Sequence, residues 1–190
     1  MAEVEITPPV GVEMAGYGPF LPRQCTEVLD PLYARALWLH SGGEAVALVS
    51  VDLCMPAWDT HRAAAAQLQA VCGLKPENLL IAGSHTHSGP ATSFTVGWGE
   101  RDPGYMAALP GLYAQAVLEA RRNARPARLG ASRVRVDGVA INREQFLAPV
   151  DTAAQLLRID SADGRPLAAA LNFGAHPVLR WPFGTRLSAD

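Results

Sequence analysis

Apolar positions along this chain fall into short runs with two different periods. Val4-Glu5-Ile6-Thr7 alternates apolar and polar and then meets Pro8-Pro9, which predicts a short first strand stopped by the prolines. Residues 32–39 and 45–53 predict two strands joined as a hairpin through Ser41-Gly42-Gly43. In the second of them, Ala45-Val46-Ala47-Leu48-Val49-Ser50-Val51 is nearly continuous in apolar residues, as expected of a central strand covered on both faces. From Asp59 or Thr60 to Cys72 the period changes. Ala64, Leu68 and Val71 share one helical stripe, and Gly73 with Pro76 supplies the stop. Residues 78–83 then read as another strand, so this stretch is a strand, helix, strand unit. Such a crossover makes its two strands parallel neighbours with a right-handed connection.

Asp102-Pro103 is a helix start, with an N-cap carboxylate and proline at the first helical position. Tyr105, Leu109, Leu112, Tyr113, Ala116, Val117 and Ala120 carry the helical stripe to about residue 123, and Pro110 inside it predicts a kink or break. Residues 129–136 alternate, with Arg133 and Arg135 on one face and Val134 and Val136 on the other, which predicts a half-exposed strand. Asp137-Gly138 ends it, and residues 139–143 read as a second short extended piece. Residues 153–159 and 167–173 are apolar strands around the polar connection Asp160-Ser161-Ala162-Asp163-Gly164-Arg165, an antiparallel hairpin. The expected class is α/β, a mixed and partly parallel β-sheet with helices packed on its faces. No repeat, linker or low-complexity tract divides residues 1–190, so one domain is expected. The chain stops at Leu187-Ser188-Ala189-Asp190 without a closing element, so that domain is expected to be truncated at its C-terminus.

Composition narrows the partners. With 190 residues and 49% hydrophobic content the chain can bury a substantial core. A net charge of −2 argues against nucleic acid or an anionic membrane held by bulk electrostatics. Arg121, Arg122, Arg125, Arg128, Arg133 and Arg135 cluster, but no aromatic residue is interleaved among them, and they read as a solvated helix end and strand face. Cys25, Cys54 and Cys72 form no short pair; Cys54 and Cys72 sit in apolar patterns as small core residues. No apolar run reaches the length of about 20 residues needed to span a bilayer, so no transmembrane segment is expected. The first residues lack the basic and apolar regions of a secretion signal. As given, the chain reads as cytoplasmic, or as secreted or periplasmic if a leader has been removed.

The chemistry concentrates in Ser84-His85-Thr86-His87-Ser88-Gly89-Pro90, just past the apolar run Leu79-Leu80-Ile81-Ala82. In extended backbone, side chains at i and i+2 share a face, so His85 and His87 can look into one cleft, for a metal or a substrate. The alternative is a pair of solvated loop histidines. Asp52 ends the central strand at the edge where open α/β sheets place functional groups, either as a turn aspartate or in support of the histidines. His176 again lies just past an apolar strand and before a proline. Neutral imidazoles and carboxylates are zinc ligands, and such a site lowers the pKa of water towards neutrality. Ser84 and Ser88 flank the histidines, but no Gly-x-Ser-x-Gly elbow is present. The loop also lacks the Gly-Lys-Ser/Thr ending of a phosphate loop. The Gly/Pro-punctuated residues 11–22 form a loop that lets backbone approach a ligand, or a plain turn.

Taken together, Ile6-Thr7-Pro8-Pro9-Val10-Gly11, Met14-Ala15-Gly16-Tyr17, Val51-Asp52-Leu53, His85-Thr86-His87-Ser88-Gly89-Pro90, Asn142-Arg143 and Phe173-Gly174-Ala175-His176-Pro177 resemble the amino-terminal part of the neutral/alkaline (non-lysosomal) ceramidase family. The order of the motifs is kept over nearly all of the chain, and the His-Thr-His-Ser-Gly-Pro run is the most specific of them. The resemblance implies a zinc-dependent amidase that cleaves the amide of a small-molecule or lipid substrate, ceramide giving sphingosine and a fatty acid. It implies that His85 and His176 are zinc ligands, that His87 faces the substrate and assists proton transfer, and that Gly16 and Arg143 hydrogen-bond the substrate. A guanidinium suits that task because it offers five fixed donors.

The family completes its metal site with a glutamate and a tyrosine much further along, so residues 1–190 alone are expected to show little or no activity. Two departures stand beside the cleft: Ala91-Thr92 where the family continues with Gly-Gly, and Val178-Leu179-Arg180-Trp181 where it has Ser or Thr. Two other functions fit the same residues. One is a non-catalytic metal- or ligand-binding domain; the other is an esterase or deacetylase acting on a non-lipid substrate.

Overall fold

The computed structural model describes residues 1–18, 23–180 and 182–190. The end of the Gly/Pro loop, residues 19–22, and Trp181 of the second departure lie outside the described residues. Contacts divide the chain into two compact units, Met1–Ala124 with Pro177–Asp190, and Arg125–His176.

The first unit is built on a four-stranded mixed sheet, as the pattern predicts. Its strands are β1 (Ala2–Glu5), β3 (Tyr33–Ser41), β4 (Glu44–Val51) and β5 (Leu79–Gly83), in that spatial order. A separate two-stranded parallel ribbon joins β2 (Glu27–Val28) to β9 (Arg186–Leu187). β3 and β4 form the expected antiparallel hairpin. Gly42 and Gly43 turn it with φ of 59° and 87°, the double positive φ that the twist of a two-residue hairpin demands. β4 and β5 are parallel, with Val51 opposite Gly83, and helix α1 (Trp58–Cys72) makes the crossover between them. Gly73 ends α1 in the left-handed conformation and donates its N–H to the Gln69 carbonyl.

Helix α2 (Pro103–Arg122) starts where the sequence places it, with the Asp102 carboxylate accepting the Tyr105 N–H at 2.7 Å. Of the kink or break expected at Pro110, the break does not occur: α2 continues as one helix from Pro103 to Arg122. Leu109, Tyr113, Ala116, Val117 and Ala120 are buried against the sheet, and Pro110 is buried beside them. That packing outweighs the roughly 3 kcal/mol that an interior proline costs a helix. Tyr105 adds a buried bond from its hydroxyl to the Ile6 carbonyl at 2.6 Å.

Both helices of the first unit cover one face of the sheet, and within residues 1–190 the central strand β4 is buried on that face. Ala47, Val49 and Val51 are buried under the helices, whereas Val46 and Ser50 on the other face are exposed.

In the second unit β6 (Ala127–Arg135), β7 (Ala153–Ser161) and β8 (Pro166–Asn172) form an antiparallel sheet in chain order, including the expected β7–β8 hairpin. β6 is exposed along its whole length rather than half-buried. Residues 139–143 are not a strand. The Asn142 side chain accepts the N–H groups of Glu144 and Gln145, both at 3.0 Å, and so turns the chain where alternation alone predicts extension.

Candidate active site

The parallel register of β4 and β5 delivers Asp52-Leu53-Cys54 and Ser84-His85-Thr86-His87 to the same sheet edge. The ladder continues past the strands, from Ser84 N–H to the Val51 carbonyl at 2.9 Å and from His85 N–H to the Leu53 carbonyl at 3.0 Å. His85 then takes φ of 67°. A left-handed residue without glycine's freedom stores strain that the surrounding structure must hold, and such residues gather at functional sites. The two histidines therefore do not converge through extended backbone. The turn at His85 brings the rings together instead, edge to face at 4.9 Å between centroids, with His87 buried.

Cys54 completes the cluster. Its carbonyl lies 2.8 Å from Nδ1 of His85 and its Sγ 3.6 Å from the same nitrogen. A carbonyl can only accept, so Nδ1 carries the proton and the lone pair of His85 sits on Nε2. Metal-binding histidines are fixed in the same way, by a backbone carbonyl that orients the ring and sets the tautomer. One ligand atom from each of Cys54, His85 and His87 lies within 4.8 Å of the others. This donor set of imidazoles and a thiol suits zinc or a metal of similar softness. Burial pushes the Cys54 thiol up to about 11, so its sulfur is neutral at ordinary pH until a cation displaces the proton.

The wall opposite the histidines comes from the loop after β1. Gly16 has φ of +111°, and a Cβ built there would stand 2.6 Å from Cγ of His87. Only glycine lets the backbone lie flat against that ring. Tyr17 meets His87 edge to face at 5.0 Å and Trp98 does so at 6.2 Å. Burial raises the Tyr17 hydroxyl above its ordinary value, which keeps it neutral.

Arg23 locks these pieces together. It is buried, stacks at 5.0 Å over the Tyr17 ring, and donates to the carbonyls of Ala15, His87 and Gly184. Burial lowers its pKa, and its guanidinium is held by backbone oxygens across long sequence separations. Replacing Arg23 by methionine keeps the apolar stem and leaves those carbonyls without their donor. The variant should lose about 3 kcal/mol of stability in urea unfolding, and the histidine ring protons should shift in NMR spectra.

Of the residues singled out from sequence, Gly16, His85 and His87 come together in the first unit. Asp52 lies at the same sheet edge. Its carboxylate accepts the Tyr33 N–H at 2.9 Å and pairs with Arg35 at 2.8 Å, which ties the end of β4 to β3. Arg143 and His176 belong to the second unit, where both are exposed and Arg143 pairs with Glu144 at 3.7 Å. Cys54 and Arg23 were not singled out. For Cys54 the signal was available: it lies two residues beyond Asp52, past a strand parallel to the one that ends before His85.

Known proteins share this fold. All of the chain aligns with the solved neutral ceramidase from Pseudomonas aeruginosa at a TM-score of 0.89 and 22% identity, covering 33% of that protein. A structure described as ceramidase complexed with C2 matches equally, at 0.89 and 22%, with 32% of its chain covered. The class is thus a ceramidase-type fold. In sequence, neutral ceramidase A of Dictyostelium discoideum is 29% identical over 171 residues, covering 75% of this chain and 23% of that protein. Neutral ceramidase B of the same organism is 28% identical over 166 residues with the same coverage. Residues 1–179 match the family described as neutral/alkaline non-lysosomal ceramidase, N-terminal, and the chain belongs to that family. It spans about a quarter of the length of these curated relatives and a third of the solved structures.

Proposed function

We propose that this chain is the amino-terminal portion of the catalytic domain of a zinc-dependent hydrolase that cleaves the amide of ceramide or a related N-acyl lipid. The observation that carries this reading is the convergence of Gly16, Cys54, His85 and His87 at one sheet edge, in a chain matching the ceramidase family over residues 1–179. His85, oriented by the Cys54 carbonyl, would hold the ion. Zinc, when bound, supplies a Lewis acid that polarises a carbonyl and lowers the pKa of water.

The protein's own groups supply the rest. His87, walled by Gly16, Tyr17 and Trp98, faces the substrate and moves a proton between water and the departing amine. Gly16 offers backbone at a distance that no larger residue permits.

The test uses the full-length protein. It should retain about one zinc per chain and release fatty acid from N-acylsphingosine faster than from esters or acetylated sugars. A chelator should remove the activity and added zinc should restore it. Full activity in a zinc-free preparation, or cleavage confined to non-lipid esters, would end the proposal.

A further inference from the structure

The histidine motif alternates two kinds of residue. The rings of His85 and His87 meet at the candidate site, whereas Thr86 and Ser88 are buried and bond to a distant segment. The Thr86 hydroxyl donates to the Ser188 carbonyl at 2.9 Å and accepts the Ser88 N–H at 3.1 Å. The Ser88 carbonyl accepts the Ser188 N–H at 3.0 Å. One hydroxyl thus closes a ring of three bonds between the loop and a residue 102 positions away. The methyl of Thr86 is used as well: Cγ2 stands 3.2 Å from a Cβ built on Gly89, so the turn after the histidines packs against the same side chain. Both arms of a branched residue are engaged, which leaves it one rotamer.

Ser188 is held from its far side. Its hydroxyl donates to the Asp30 carboxylate at 2.7 Å and accepts the Asp190 N–H at 3.1 Å. The preceding Leu187 carbonyl accepts the N–H groups of Leu29 and Asp30, so Ser188 is anchored to the β2–β9 ribbon as well as to the histidine loop. On the strand side, bonds to Val51 and Leu53 fix where the loop begins. The ring through Thr86 and Ser188 fixes the peptide between the two imidazoles, next to the left-handed backbone of His85 that its surroundings must hold. We infer that Thr86 is a positioning residue that sets His87 relative to His85 by tying the backbone between them to Ser188. It reacts with nothing itself and acts through the two rings. The inference rests on the hydrolase reading above for what the rings then do.

Two substitutions at Thr86 in the full-length protein separate hydroxyl from shape. Thr86→Val keeps the branch but puts a methyl, which needs about 3.5 Å, where an oxygen bonds at 2.9 and 3.1 Å. Its kcat on N-acylsphingosine should fall at least about tenfold with KM within about twofold of the parent. The ring signals of His85 and His87 should move in NMR spectra of histidine-labelled protein without substrate. Thr86→Ser restores the hydroxyl and should return both readouts close to the parent. Ser188→Ala leaves Thr86 intact and releases Ser188 from Asp30; it should act in the same direction but less, and it alone decides the matter if Thr86→Val does not fold. Combined with Thr86→Val it should add no further loss, because both break one network. Val117→Ala, in the core under α2, should lower the melting temperature with kcat unchanged. Unmoved rings and kcat in Thr86→Val, equal damage in Thr86→Ser, losses that multiply in the double variant, or a kcat that follows melting temperature through Val117→Ala would each overturn the inference. A protein whose rings move as expected but which cleaves no amide keeps the positioning role and loses the proposed activity. One that cleaves amide with rings indifferent to Thr86→Val does the reverse.

Discussion

Alanine at His85 is expected to reduce amide cleavage by the full-length protein to background and to remove the bound metal, read by metal analysis after dialysis. The substitution deletes the Nε2 lone pair that the Cys54 carbonyl orients. A merely misfolded variant would give the same loss, so His85→Gly is the decisive companion. Glycine accepts φ of 67° without the strain that histidine bears there. Relief of that strain and loss of one partly exposed hydrogen bond roughly cancel, so this variant should stay within about 1 kcal/mol of the parent in stability. A stable His85→Gly protein that still binds zinc stoichiometrically and cleaves amide would remove His85 from the site.

Gly16→Ala should be the next most damaging change. The added methyl meets three atoms of His87 between 2.6 and 2.7 Å, and His87 is buried on its other side, with its carbonyl held by Arg23. Either the ring or the Gly16 loop must move. A displacement on the order of 1 Å in a positioning element costs about a hundredfold in rate, and strain plus overpacking should lower stability by about 3 kcal/mol. Gly11→Ala separates the two causes, because Gly11 has φ of +101° and nothing within 4 Å of a built Cβ. It should show the backbone strain alone, with a modest loss of melting temperature and unchanged turnover. Equal loss of activity in both variants would mean that the approach to His87 is not what glycine is needed for.

Local patterns made much of the fold readable in advance. Gly42-Gly43 announced its hairpin, Gly73 its helix stop and Asp102-Pro103 its helix start, because each answers a backbone requirement settled within a few residues. The strand, helix, strand unit placed the histidine loop at a sheet edge, and the family motifs singled out Gly16 and His87 before any distance was known. What escaped was decided far away in sequence. Arg23 looks like an ordinary loop cation until its bonds reach His87 and Gly184. Cys54 reads as a small core residue, and is one by burial, until its carbonyl meets His85. Pro110 carries the local signal of a broken helix, and only the sheet beneath α2 overrules it.

The bonds around the histidine loop also set an order of events during synthesis. Thr86 donates to the Ser188 carbonyl across 102 residues, Ser188 N–H returns to Ser88, and Arg23 reaches Gly184. While the ribosome has released only residues 1–124, Thr86, Ser88 and Arg23 lack these distant partners, and the loop bearing His85 is held by nearer bonds, among them those to Val51, Leu53 and Cys54. The site should therefore take its final shape late, once residues 184–188 have emerged, well after the sheet that carries it has formed. Pulsed hydrogen exchange on nascent chains would register this as protection that arrives early in β3 and β4 and only afterwards at Ser88 and Ser188.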